Sequence, residues 1–210
     1  METSKDQFER EKEKVEREWG VLREIELFAR EKLRSMSHGF DHTRRVYNMA
    51  MRIGQREKAD LKVVLTAALL HDIGRDLEDY LGIDHAETSA YLAEEFLNSI
   101  DFPKEKIKMV IDAIKEHRYS SGILPSSLES KVLSDADKLD ALGAVGIARV
   151  FTYGGRHQRD VKGSLAHFDE KILKLKDLMY TESAKKVAQD RHFYIELYLK
   201  RLQEEIKGLK

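Results

Sequence analysis

The chain has 210 residues, 41% of them hydrophobic and 36% charged, with a formal net charge of −1 and no cysteine. Such a chain can bury a substantial core, and its near-zero charge excludes a basic field for nucleic acid or anionic membrane. The lack of cysteine excludes disulfides, thiolate nucleophiles and zinc–thiolate sites.

Two prolines and few alternating β-branched stretches point to helices throughout. Val15, Trp19, Leu22, Ile25, Ala29 and Leu33 recur at helical spacing, which predicts one amino-terminal helix over residues 4–33. "SMSHGFDH" breaks it, with Gly39 at the turn and Asp41 expected to cap the next helix. That helix carries His42, Val46, Met49, Ala50 and Ile53 on one face. Asp60 opens a helix expected to run through "ALLHDIGRD" until Gly82. Helices follow over 85–99 and, after Pro103, over 104–117. "RYSSGILPSS" reads as a loop, and a single helix is expected over 128–150. The glycine-rich "TYGGRHQRDVKGS" reads as a loop able to cover a site. Helices over 165–180 and 183–207 complete an all-α chain without repeat or linker, expected to form a single domain. No apolar stretch reaches the ~18 residues of a membrane span, and the charged amino terminus does not read as a signal peptide. The expected location is cytoplasmic.

The apolar run Leu65, Ala67, Ala68, Leu69 and Leu70 leads directly into His71 and Asp72. A carboxylate carried inside needs a charged partner, good hydrogen bonds or a metal. On one helix, neighbouring residues stand about 100° apart, so His71 and Asp72 can reach a common point. His42 lies on the apolar face with Val46, and Asp137 sits in "VLSDADKLDALGAVG", again a carboxylate within an apolar pattern. A lone histidine on such a face is ordinarily a hydrogen-bonded core residue, and Asp137 alone could cap a helix or pair with Lys138. The joint pattern of two imidazoles and two carboxylates favours a metal. A nitrogen–oxygen donor set without sulfur suits manganese, iron, cobalt or nickel; magnesium prefers more oxygen, and structural zinc usually takes sulfur.

In order and setting, His42, "HD" at 71–72 and the Asp of "ADKLDA" at 137 resemble the HD-domain metal-dependent phosphohydrolases. The blocks "SHGFDHTRRV", "ALLHDIGR", "DHAETSA", "DADKLDALGAVGIARVFTYGG" and "HFDEKILKLKDLMYTESAKKVAQDR" are similar to one compact subfamily that resembles nucleotide pyrophosphohydrolases, over about residues 35–200. The resemblance implies an all-α, HD-type helical bundle with His42, His71, Asp72 and Asp137 as metal ligands. It places His85 and His117 where some relatives carry histidines for a second metal or for substrate phosphate, although each falls at a helix end where it could simply cap.

Weaker candidates surround this set. Asp76, one turn beyond Asp72, can orient a water or a histidine, or pair with Arg75 or Lys62. Arg45 and Arg75 share faces with the presumed ligands and can hold phosphate, as can His38, whereas Arg44 reads as solvated. Several relatives carry lysine at the position of Arg75; arginine keeps the charge but gives up no proton at neutral pH. Lys171 and Arg191 enter only through the resemblance, and Phe151 or Tyr153 could stack on a base. The implied activity is hydrolysis of a nucleoside triphosphate, as small-molecule substrate, to monophosphate and pyrophosphate. Competing readings are a nucleotide phosphomonoesterase, a cyclic-nucleotide or alarmone hydrolase, and a non-enzymatic nucleotide-sensing module. A helical adaptor is a further one, and Trp19 and Leu22 could serve either the core or a homodimer contact.

Overall fold

The computed structural model describes residues 4–33, 39–119 and 122–209, and every regular element among them is helical. The all-α expectation holds. By its internal contacts the chain divides into two compact units, residues 1–134 and 135–210.

The first unit contains α1 (Ser4–Glu18), α2 (Gly20–Lys32), α3 (Phe40–Glu57), α4 (Leu61–Leu70), α5 (Arg75–Leu81), α6 (His85–Ser99) and α7 (Lys104–Glu116), and α8 (Leu128–Asp140) begins in it. At its centre, α4 is buried from Val63 to Leu70 and packs against α2, α3, α6 and α7. A helix apolar on all sides belongs in an interior. Its start is fixed by Asp60, whose carboxylate accepts the Lys62 amide at 2.9 Å and pairs with Lys106 of α7. Asp84 caps α6 in the same way, accepting the Ala86 amide at 2.8 Å. Both satisfy amides that have no partner inside the helix.

Three expectations in this unit are corrected. The helix expected over residues 4–33 breaks at Trp19, whose φ of −117° and ψ of 82° leave the helical region, and restarts at Gly20. Glycine's low helix propensity puts the break between two amphipathic stretches. Asp41 is not the cap of α3: Gly39 takes that position and Asp41 falls in the first turn, where its charge suits the helix dipole. The helix opened by Asp60 ends at Leu70, and residues 71–74 form a turn before α5. Gly74 makes this turn feasible. Its amide donates to Ser89 Oγ at 2.9 Å, and a Cβ there would lie 2.7 Å from the Ser89 nitrogen. The turn can therefore press directly on α6.

The second unit holds the end of α8, then α9 (Gly143–Arg156), α10 (Val161–Glu170), a 3-10 helix (Ile172–Leu178) and α11 (Glu182–Ile206). Here α9 packs on α10 and α11, both of which also meet the 3-10 helix. Phe168, Ala184, Ala188 and Ile195 are fully buried. The single helix expected over 128–150 is interrupted at Ala141 and Leu142, and α9 restarts at Gly143 with φ +72°. Only glycine takes that backbone without strain, and the Arg191 stem lies 3.0–3.4 Å from where a Cβ would stand. The expected loop over 152–164 is mostly helix: α9 continues to Arg156, and Asp160 starts α10 by accepting the Gly163 amide at 2.7 Å. The helix expected over 165–180 is α10 followed by the 3-10 segment. No helix among the described residues is long and apolar enough to cross a membrane.

Candidate functional site

The turn at 71–74 turns two acidic oxygens toward two different pairs of histidines. Asp72 Oδ2 lies 3.7 Å from His42 Nε2 and 3.7 Å from His71 Nε2, and those two nitrogens are 3.4 Å apart. On its other side, Asp72 Oδ1 lies 3.4 Å from His85 Nε2 and 3.9 Å from His117 Nε2. Each histidine comes from a different place: His42 from α3, His71 from the end of α4, His85 from the start of α6 and His117 from the end of α7. All four imidazoles and the carboxylate are buried.

Hydrogen bonds set the protonation of these rings. His71 Nδ1 meets the Ala68 carbonyl at 2.9 Å, and His117 Nδ1 meets the Ile114 carbonyl at 2.6 Å. A carbonyl can only accept, so Nδ1 carries a proton in both rings and Nε2 is the nitrogen turned to the site. His85 Nδ1 donates to Glu78 Oε2 at 3.0 Å, with the same result. Burial would raise the pKa of Asp72, but His71, Arg75, His42 and His117 outweigh it and hold the carboxyl well below the usual range. Burial pushes His85 down, Arg75 and His117 adding to that against the opposing charges of Asp72 and Glu78. A neutral ring with an outward lone pair is the form that ligates.

The donor set fits a divalent ion. His42, His71 and Asp72 each offer an atom within 4.8 Å of the others, and so do Asp72, His85 and His117. A buried carboxylate facing several imidazole nitrogens is the arrangement a cation would stabilise.

Around the core lies a charged layer that the sequence reading largely passed over. Arg75 Nη1 is 2.8 Å from the ring nitrogens of His85, 4.0 Å from Asp72 Oδ1 and 3.9 Å from Glu78 Oε2. Arg118 Nη1 bonds Glu78 Oε1 at 3.0 Å and also pairs with Asp84. Glu78, Asp84 and Arg118 were not among the sequence candidates, because polar residues near helix ends read as solvated. The available signals were Glu78 three residues beyond Arg75 and Arg118 directly after His117.

The other candidates are placed differently. Asp76 lies part-buried in the first turn of α5, and Arg45 is part-buried on α3. Asp137 is half-buried on α8, in the second unit. Its neighbours are committed elsewhere: buried Asp135 accepts the Tyr180 and Thr181 amides and the Thr181 hydroxyl, and Asp140 pairs with Arg149. Lys171 is exposed just beyond α10, and Arg191 donates to the Leu139 carbonyl. Phe151 and Tyr153 are on helix α9, not on a loop. Phe151 packs near Phe168 and Tyr198, ring centroids 6.1 and 6.2 Å away, while Tyr153 is exposed and stacks on His157 at 3.9 Å. His38 lies outside the described residues. A cavity of about 240 Å³ is lined by Lys12, Arg23, Phe40, Arg44 and Tyr47 among others. Phe40, Arg44 and Tyr47 stand roughly 140–160° around α3 from His42, so this cavity is separate from the histidine cluster.

The sequence pattern of the HD domain family matches residues 39–142. The YpgQ protein of Bacillus subtilis is 36% identical over 186 residues, spanning 83% of this chain and 87% of its own. The chain belongs to the HD superfamily. A predicted HD superfamily hydrolase from an uncultured Thermotogales bacterium shares 37% identity, with a TM-score of 0.70 over 88% of this chain and 92% of that one. The crystal structure of YpgQ in complex with ADP shares 35% identity, with a TM-score of 0.75 over 90% and 96% of the two chains. HD membership supports hydrolase activity, and His42, His71 and Asp72 all fall within the matched span.

Proposed function

We propose that this HD protein is a metal-dependent nucleotide phosphohydrolase that converts a nucleoside triphosphate to its monophosphate and pyrophosphate. The observation that carries the reading is the buried Asp72 carboxylate meeting four imidazoles, three of them with Nδ1 engaged by an acceptor and Nε2 turned to the carboxylate. In the proposal His42, His71, Asp72 and Asp137 hold a manganese, iron, cobalt or nickel ion, with magnesium as the harder alternative. Asp137 takes its place from the order of the family's blocks. When bound, a divalent ion supplies an acidified water and neutralises charge on the phosphoryl group. The nucleotide assignment draws support from YpgQ, whose structure was solved with ADP.

The chain's own groups do the remaining work. Phosphoryl transfer needs a positioned nucleophile and stabilisation of negative charge on the non-bridging and leaving oxygens. Arg75 stands at the edge of the cluster with its guanidinium beside His85, where it can hold an oxygen of the transferred group. Arg45 extends the cationic side along α3, and His117 faces the reacting region from beyond Asp72. Arg191, bonded to the Leu139 carbonyl, and Phe151, packed among aromatic rings, have structural roles in this reading.

Hydrolysis in oxygen-18 water with added manganese tests it. Attack at the α phosphorus puts the label in the monophosphate and releases unlabelled pyrophosphate. Label in orthophosphate, with diphosphate formed first, would replace the reading with a phosphomonoesterase. Metal and nucleotide binding without turnover would leave a nucleotide-sensing module.

A further inference from the structure

Three helices of the first unit each bring a cation to one cavity. Lys12 of α1, Arg23 of α2 and Arg44 of α3 line a space of about 240 Å³. Its floor is apolar: Leu22, Tyr47 and Leu69 are buried beneath it, and Phe40 is half-buried at its side. Glu26 is the one acid among the described lining residues, and it is already engaged. Its Oε1 accepts from Arg30 Nη2 at 2.8 Å and from Nε at 3.1 Å. Arg30 in turn lies over the Phe40 ring, 3.9 Å from its centroid, and Lys12 Nζ stands 5.9 Å from the centroid of Tyr47. Neither Arg23 nor Arg44 has a hydrogen bond or ion pair with any described residue. Like charges gathered around one opening repel each other, and an anion bound between them removes that cost.

From this geometry we infer that the cavity is a second ligand site, shaped for a single aromatic ring that carries one carboxylate or phosphonate-like anion. Size selects the ring. An apolar cavity of about 150 Å³ takes benzene, whereas pockets for larger ligands begin at about 300 Å³. A nucleoside triphosphate is too large for this space. The ring lies against Leu22, Leu69 and the aromatic faces of Phe40 and Tyr47. Arg23 and Arg44 are exposed and so stand at the outer edge, where a planar guanidinium takes two oxygens of one anion. His42 is on the opposite side of α3, so an occupant here leaves the histidine cluster untouched. The inference goes beyond the phosphohydrolase reading and stands without it.

Ligand-observed fluorine NMR on the full chain tests it, with para-fluorobenzoate and para-fluorophenylphosphonate as probes. At least one should bind at millimolar concentration, the tighter of the two identifying the anion. Neutral para-fluorobenzamide and inorganic phosphate should each bind about 10-fold more weakly, since the first lacks the charge and the second the ring. Arg23→Glu and Arg44→Glu change exposed residues, so circular dichroism should be unaltered while affinity falls about 10-fold or more in each. Asp72→Asn, which alters the histidine cluster, should leave the affinity unchanged. No binding of either probe, equal binding of the amide or of inorganic phosphate, wild-type affinity in either arginine variant, or loss of binding in a folded Asp72→Asn would each overturn the inference.

Discussion

Asp72 shows how one side chain can organise a site. Its two oxygens serve different histidine pairs, and its carboxyl stays well below the usual range because the effects of His71, Arg75, His42 and His117 together outweigh that of burial. This much was legible in the sequence, because a carboxylate and an imidazole after Leu69 and Leu70 contradict their surroundings. Glu78 and Arg118 were not legible, since their roles depend on residues 85 and 117 approaching through tertiary packing. Asp137 is where the residue-scale reading is most exposed. Asp137→Ala should lower manganese affinity by more than about 100-fold, the range that even outer-shell losses reach. The helical circular dichroism should stay unchanged, because Asp135 and Asp140 carry the structural pairing nearby. Full metal content and turnover in this variant, measured by elemental analysis and product release, would remove Asp137 from the ligand set.

At the scale of the element, helices were legible and their interruptions were not. α6 and α7 lie within one residue of the expected bounds because Asp84 and Pro103 announce their starts. The breaks at Trp19, at residues 71–74 and at Ala141–Leu142 lie where apolar periodicity continues and no proline intervenes. Each depends on a neighbouring glycine, a mild signal by itself. Caps can also be tested. Asp60 accepts two amides at the start of α4 and pairs with Lys106. Partial burial works to raise its pKa, but Lys106 and the two amides more than offset this and set it below the ordinary 3.8. A depressed carboxyl contributes stability that is present above the unfolded value and lost as pH falls through the folded one. Asp60→Ala should therefore destabilise the protein by about 1–2 kcal/mol at neutral pH. The difference from wild type, read by urea unfolding, should shrink as pH falls below about 4. A pH-independent difference would assign the loss to side-chain packing instead of to the charged cap.

On the scale of the whole molecule, the division at residues 134 and 135 has no counterpart in composition, because α8 carries the chain across it without glycine or proline. What the sequence did convey was the class of the fold, since a pattern of period near 3.6 recurs from end to end. The metal site ties this scale to the first. His42, His71 and Asp72 draw on α3, α4 and the turn before α5, and α4 is the buried centre of its unit. An ion held by these groups binds the native state and not the dispersed ligands of the unfolded chain, so it must stabilise by mass action. At a free concentration about 100 times the dissociation constant the gain is about 2.7 kcal/mol. For a chain of this length that corresponds to an increase in Tm of roughly 5–11 °C. Differential scanning calorimetry with manganese and then with excess chelator should show the shift appear and reverse. Asp72→Asn should abolish it, because a neutral amide cannot replace the carboxylate shared by both histidine pairs. Asp137→Ala should reduce it by an amount that follows the logarithm of the affinity lost. An unchanged Tm across the manganese titration, in a protein shown by elemental analysis to retain metal, would mean that the ion is held outside this buried cluster.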